Sequence, residues 1–219
     1  MEARTRRSLA VALEVGTRRV FACALDWPGW CRAGKTEDAA VEALVAYAPR
    51  YAPVAEAAGA PQLPTSPRIA ERLAGNATTD FGAPDVIASG DQRRLSRADA
   101  DRHADLMVAA WGLFDDVVAQ APAALRKGPR GGGRDRDAVV DHVLGAEASY
   151  ARQVGVRLRP PDRDDVAAVG ALRTAIAEVI RGARAATPPD GRGWPPRYAA
   201  RRIAWHVLDH AWEIEDRSS

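Results

Sequence analysis

Near the end of the chain, the stretch RRIAWHVLDHAWEIEDR places His206 and His210 four residues apart in a segment of amphipathic helical pattern. Residues i and i+4 of a helix are neighbours on one face, with Cβ atoms about 5–6 Å apart, so both rings can point at a common spot. That is the spacing of paired metal ligands. The other two of the chain's four histidines, His103 and His142, stand in segments of similar pattern. A buried neutral imidazole without partners forfeits hydrogen bonds worth about 1–3 kcal/mol each, so several of them on apolar faces require a reason. A divalent ion supplies one, because neutral imidazole binds zinc, nickel, iron and copper. Read from residues alone, each histidine could equally be a hydrogen-bonded core or edge residue.

Two carboxylates accompany this pattern. Glu213 lies one turn beyond His210 and could orient a ligand, accept a proton or be a solvated charge at the helix end. Glu147 follows His142 by a little more than a turn, with the same alternatives. The loop LRKGPRGGGRDRD sets Arg130, Arg134 and Arg136 around three consecutive glycines just before the segment that carries His142. Such a loop could hold an anion through backbone N–H groups and the following helix N-terminus, or serve as a solvated connector. It lacks the Gly-Lys-Ser/Thr ending of a nucleotide-hydrolysing loop.

These residues need helices to position them, and the second half of the chain carries four segments of helical period. Ser96 with Asp99 resembles a capping box opening the first, with a stripe of Leu106, Ala110, Leu113 and Val117. The second covers roughly 136–154, with Val139, Val143, Ala146 and Tyr150 on one side. The third runs from about Asp164 to Ala186 through Val169, Leu172, Ile176, Val179 and Ala183. The fourth follows Pro195-Pro196 and repeats Ile203, Val207, His210 and Ile214. His103 lines up with Leu106, Ala110 and Leu113, which suits a core or substrate-side role.

The first half reads differently. Residues 8–25 hold two β-like runs around Gly16-Thr17-Arg18, the pattern of a hairpin. Thr36, with Glu37 and Asp38 after it, caps a helix that the pattern carries as far as Pro49 and Pro53. From Gly59 to Gly90 the composition turns to Pro, Gly, Thr and Asn, with RIAERL and DVIAS as candidate edge strands. The expected class is α+β and mainly helical: a small α+β unit over 1–60, a connector over 61–93, and a four-helix bundle over 94–219.

Composition narrows the partners. With 31 Lys+Arg against 29 Asp+Glu, the formal net charge of +2 is too balanced to argue by itself for nucleic acid or an anionic membrane, and neither is an expected partner. Cys23 and Cys31 form no CxxC motif and read as reduced, structural residues. The arginines at 4, 6 and 7 precede too short an apolar run for a signal peptide, and no stretch approaches the roughly 20 apolar residues of a membrane span. The expected location is therefore cytoplasmic.

Over about residues 94–217, the order of a capped helix, a second helix DHVLGAEASYARQVG with one histidine, a third helix and a last helix with HxxxH resembles the DinB-like four-helix metalloproteins. That superfamily includes mycothiol- and bacillithiol-dependent transferases and maleylpyruvate isomerases. The resemblance implies a metal triad of His142, His206 and His210, with His103 outside it, and a divalent ion, zinc or nickel. Three neutral ligands would leave a coordination position for water or a substrate thiol, the arrangement of a catalytic site. It further implies thiol-dependent transfer or isomerisation of a small electrophilic substrate, with a low-molecular-weight thiol as co-substrate. Glu213 and Glu147 become catalytic candidates, and Arg130, Arg134, Arg136 and His103 substrate- or anion-binding ones. A homodimer through the helical bundle is the expected assembly.

The stretch FACALDWPGWCRAGKTEDAAVEAL is similar to HicB-like antitoxin domains at Asp26, Pro28, Gly29, Gly34, Thr36, Glu37 and Ala40, whereas Trp30 stands where that family has a small residue or Cys. This likeness bears on fold rather than function. It keeps open the alternative of a binding or regulatory protein, in which this unit contacts protein or nucleic acid and the metal is structural.

Overall fold

The computed structural model describes residues 8–128, 132–183 and 193–218 of the 219-residue chain. It is an α+β protein, mainly helical.

Alternating apolar residues form β1 (Ser8–Val15) and β2 (Val20–Ala24), an antiparallel hairpin with Val15 opposite Val20. Its turn is closed by Gly16 N–H donating to the Arg19 carbonyl and by the Asp80 carboxylate, which accepts from the Thr17 and Arg18 amides. β3 (Cys31–Gly34) continues the antiparallel pairing on one side, and β4 (Ser66–Ala74) pairs parallel to β1 on the other, giving the order β3-β2-β1-β4. All five residues of β2 are buried, so the sheet is covered on both faces there. α1 (Glu37–Ala46), capped by Thr36, packs on β2 and β3. On the opposite face, Phe21, Cys23 and Cys31 meet Trp205.

The expected end of helix at the prolines does not hold. α1 stops at Ala46, and α2 (Ala48–Ala57) begins at once, with Pro49 in its first turn and Pro53 inside it. A first-turn proline gives up an N–H that has no intrahelical partner anyway, and burial of Tyr51, Val54 and Ala55 holds the rest of the helix. RIAERL lies within β4 as expected, but DVIAS forms no strand. Its amides are taken by carboxylates instead of a ladder: Glu14 accepts from Asp85 and Val86, Asp91 from Ala88, and Glu71 from Ser89.

After α3 (Ala77–Phe81) and a short 3-10 turn (Ser89–Gln92) come four longer helices, α4 (Arg97–Gln120), α5 (Arg136–Gln153), α6 (Val166–Gly182) and α7 (Pro196–Ser218). α4 packs on α6 and α7, and α5 packs on the same two. On α6 the buried stripe is rotated from the expected one: Leu172, Ile176 and Ile180 face inward with Arg173 and Ala177, while Val179 is 36% exposed. α7 is buried almost all round from Tyr198 to Leu208, as a helix must be when it packs on other helices and on a sheet. Gly29 permits the close approach: at φ 90° it forms the turn before β3, and a Cβ there would lie 2.6 Å from the Leu208 side chain. Leu9, Val11, Leu44 and Tyr51 share one core with Met107, Phe114, Ile203 and Trp212, so the composition break near residue 92 does not separate two cores. Among the described residues, no helix is long and apolar enough to cross a membrane.

Candidate metal centre

α7 starts with Pro196 at its first position, where the fixed φ of proline suits a helix start, and then runs through alanine-rich, apolar sequence. It carries His206 and His210 on the side that meets α5, which brings His142. The three rings stand with centroids 5.1 Å apart for His142 and His206, 4.9 Å for His142 and His210, and 4.7 Å for His206 and His210. Each offers a nitrogen, and these three lie within 4.8 Å of one another, close enough to hold a metal ion.

Nε2 of His206 and Nε2 of His142 face each other at 3.2 Å. Two nitrogens on a tetrahedral ion with bonds of 2.0–2.1 Å stand about 3.3 Å apart, so this pair is already at ligand spacing. Nδ1 of His210 contacts Glu213 Oε2 at 2.8 Å. A carboxylate only accepts, so Nδ1 donates, and Nε2 is the atom of this ring that a metal would use. Arg217 in turn donates to Glu213 Oε1 at 2.6 Å and fixes that carboxylate. Burial holds His206 well below the ordinary imidazole range, with His210 and Arg202 adding to the effect. Burial also lowers His142, helped by His210 and Arg134. Both are therefore neutral near pH 7, the form that binds metals. Among the described residues, the buried Nδ1 of His206 finds no hydrogen-bond partner.

The remaining sequence candidates fall in different places. Glu213 belongs to the cluster as the partner of His210, and its carboxyl is lowered first by that hydrogen bond. Glu147 does not join it: five residues beyond His142 is about 140° round the helix. Its oxygens are taken by Trp111 Nε1 at 2.9 Å and Arg173 Nε at 3.1 Å, in the core between α4, α5 and α6. Arg134 is near enough to bear on His142 and His206. Arg136 faces elsewhere, donating to Asp137 and the Ala121 carbonyl, and Arg130 lies outside the described residues. The basic loop docks on the end of α7: the Arg126 amide donates to the Arg217 carbonyl and Arg217 Nε to the Arg126 carbonyl. Gly133 is needed there, since at φ 121° a Cβ would lie 2.7 Å from the Arg217 guanidinium.

His103 is a buried core residue apart from the triad, 1% exposed, with Nδ1 against the Asp99 carbonyl at 2.8 Å. Burial, reinforced by Arg197, pushes it from 6.5 down to about 4. Its folded form stays neutral while the unfolded chain takes up a proton, so stability is lost as pH falls from 6.5 and levels off below about 4. At about 1.4 kcal/mol per pH unit, that amounts to about 3 kcal/mol. Denaturant unfolding at pH 7 and pH 4 should therefore show a smaller acid loss in His103→Gln than in the unaltered chain.

Sequence reasoning marks neither Arg217 nor Arg202, and it places Tyr150 only in an apolar stripe. Arg202, His206 and His210 follow one another at i, i+4 and i+8, so a single stripe along α7 marks Arg202 as their neighbour. Tyr150 packs edge-on to His206 at 5.6 Å, one ring from the cluster. Comparison of the chain with family models, with curated proteins and with solved structures finds no match in any of the three.

Proposed function

We propose that this protein is a metal-dependent enzyme of DinB-like type, with its four long helices as the bundle and with zinc or nickel held by His142, His206 and His210. The observation that carries the reading is the convergence of three imidazoles from two helices, one of them oriented by a carboxylate. A divalent ion held there supplies Lewis acidity, which lowers the pKa of a bound water or thiol. Glu213 orients the ring of His210 by accepting from its Nδ1, and Arg217 keeps Glu213 in place. Three protein ligands leave room for a further one, which favours catalysis over a closed structural site. The resemblance of residues 94–217 to thiol-dependent transferases and isomerases supports a small electrophilic substrate and a low-molecular-weight thiol.

Elemental analysis of untagged protein tests the reading, followed by equilibrium dialysis of chelator-treated protein against zinc and nickel. Uptake of about one ion per chain is expected; no ion after purification and none on reconstitution refutes it. Glu213→Ala should weaken binding about 10–100-fold without abolishing it, as loss of a ligand-orienting carboxylate does. Competition with a chromogenic chelator measures this, and an unchanged affinity would remove Glu213 from the site.

A further inference from the structure

Cys23 on β2 and Cys31 on β3 are direct partners across the antiparallel ladder, and both are free thiols. The Ala24 N–H donates to the Trp30 carbonyl at 2.9 Å, so the next pair along, Cys23 with Cys31, is a non-hydrogen-bonded one. In such a pair the Cα atoms stand about 4.5 Å apart and the side chains approach most closely. A disulfide spans Cα atoms about 4.4–6.8 Å apart, so the two strands already hold a distance that it can bridge. Both side chains pack with Phe21 and Trp205 on one face of the sheet, and the two thiols are within hydrogen-bond reach of each other.

Burial, and then the neighbouring Cys23, raises the Cys31 thiol well above its ordinary range, with Arg201 pulling the other way. Cys31 therefore rests as a thiol, a form slow to react with electrophiles at large. Access is narrow: each cysteine keeps 4% exposure, and both line a cavity between the sheet and α7 with about 20 Å³ of space, room for a group of about water size. Hydrogen peroxide is little larger than water and brings no charge into an apolar site, where a charge without a partner is costly.

We propose that Cys23 and Cys31 form a redox-modification site, which hydrogen peroxide converts to an intramolecular disulfide. One sulfur, as its thiolate, attacks an oxygen of the peroxide; the O–O bond breaks, and the departing hydroxide takes up the thiol proton as water. The other sulfur then attacks the sulfenic acid so formed: the S–S bond forms, the S–O bond breaks, and a second water leaves with the remaining thiol proton. The two thiols together lose two electrons, and one peroxide is reduced to two waters. Because the sulfurs face each other across the ladder, the second step is intramolecular and the sulfenic acid does not accumulate. The site stands apart from the histidines and does not depend on the metal reading.

The test treats the folded, chelator-treated full chain with hydrogen peroxide, stops the reaction with catalase, and alkylates the remaining thiols in denaturant. Both cysteines fall in one tryptic peptide, residues 20–32, whose mass reports on them alone. That peptide is expected to lose two hydrogens, to take up no alkylating reagent, and to regain both thiols with dithiothreitol. Oxidised glutathione, too large for the cavity, should react at least about tenfold more slowly with the folded chain. Cys23→Ser and Cys31→Ser, each left with one sulfur, should stop at a sulfenic acid that dimedone traps, whereas the unaltered chain should yield little adduct. Two alkylatable thiols after treatment, sulfinic acid in place of a disulfide, disulfide-linked dimers, or an equal rate with oxidised glutathione overturns the assignment. If a serine variant does not fold, the unaltered chain decides by itself.

Discussion

His206→Ala should leave the protein without bound metal at ion concentrations expected to load the unaltered chain, and His142→Ala and His210→Ala should do the same. The expected loss exceeds the 10–100-fold that follows removal of a mere ligand-orienting partner, because two imidazoles make an incomplete shell. Replacing His206 and His210 together should be worse than replacing His142, since two ligands on one rigid helix are already oriented toward each other. His103→Ala should keep the metal, for His103 sits apart against the Asp99 carbonyl. An ion that binds only the folded state at 100 times its dissociation constant adds about 2.7 kcal/mol. For a domain of this size, chelation should therefore lower the melting temperature by roughly 5–10 °C in the unaltered chain and in His103→Ala. The triad variants should show no chelator effect. Retention of metal by all three, or its loss from His103→Ala but not from His142→Ala, would show the assigned triad to be wrong.

Arg173→Ala should destabilise the fold by about 3–5 kcal/mol, as breaking a buried ion pair from one side does. Arg173 joins three helices: it binds Glu147 on α5 and Asp115 on α4 from its own place on α6. Glu147 is 1% exposed, and burial raises its carboxyl against the pull of Arg173, so removing the guanidinium leaves a charge with little but Trp111 to satisfy it. Replacing both partners with apolar residues, Glu147→Leu with Arg173→Met, should recover most of the loss, because the desolvation cost disappears along with the attraction. Urea unfolding of the two single variants and the double measures this. Zinc affinity should be unchanged in every variant that folds. A double variant as unstable as Arg173→Ala, or one that loses metal, would contradict a purely structural role for the pair.

The helices that carry the histidines were legible because an amphipathic stripe is a local property. Ser96 capping α4, the start of α5 at residue 136 and the start of α7 at Pro196 all follow from residues within a turn of one another. The hairpin of β1 and β2 is local in the same sense. The parallel pairing of β1 with β4 joins residues more than fifty positions apart, and no short-range pattern encodes it. The DVIAS segment misled because its apolar pattern suits a strand, whereas carboxylates from distant parts of the chain claim its amides. Val179 misled because a 3-4 apolar spacing on α6 allows two neighbouring stripes, and the neighbours of the helix select the one with Ile180.

Which residues could meet is written in local spacing: an i, i+4 pair on one rigid helix presents two imidazoles to the same side in any fold that keeps that helix. Tertiary structure decided what they meet. Packing of α5 on α7 brings His142 to the pair, and packing of α5 on α6 gives Glu147, on another side of the same helix, its ion-pair partner Arg173. It also decided that α7 is buried nearly all round, which strips water from Arg202 and His206 together. Helical periodicity is short-ranged and can be read along the chain, while desolvation depends on every element that closes over a side chain.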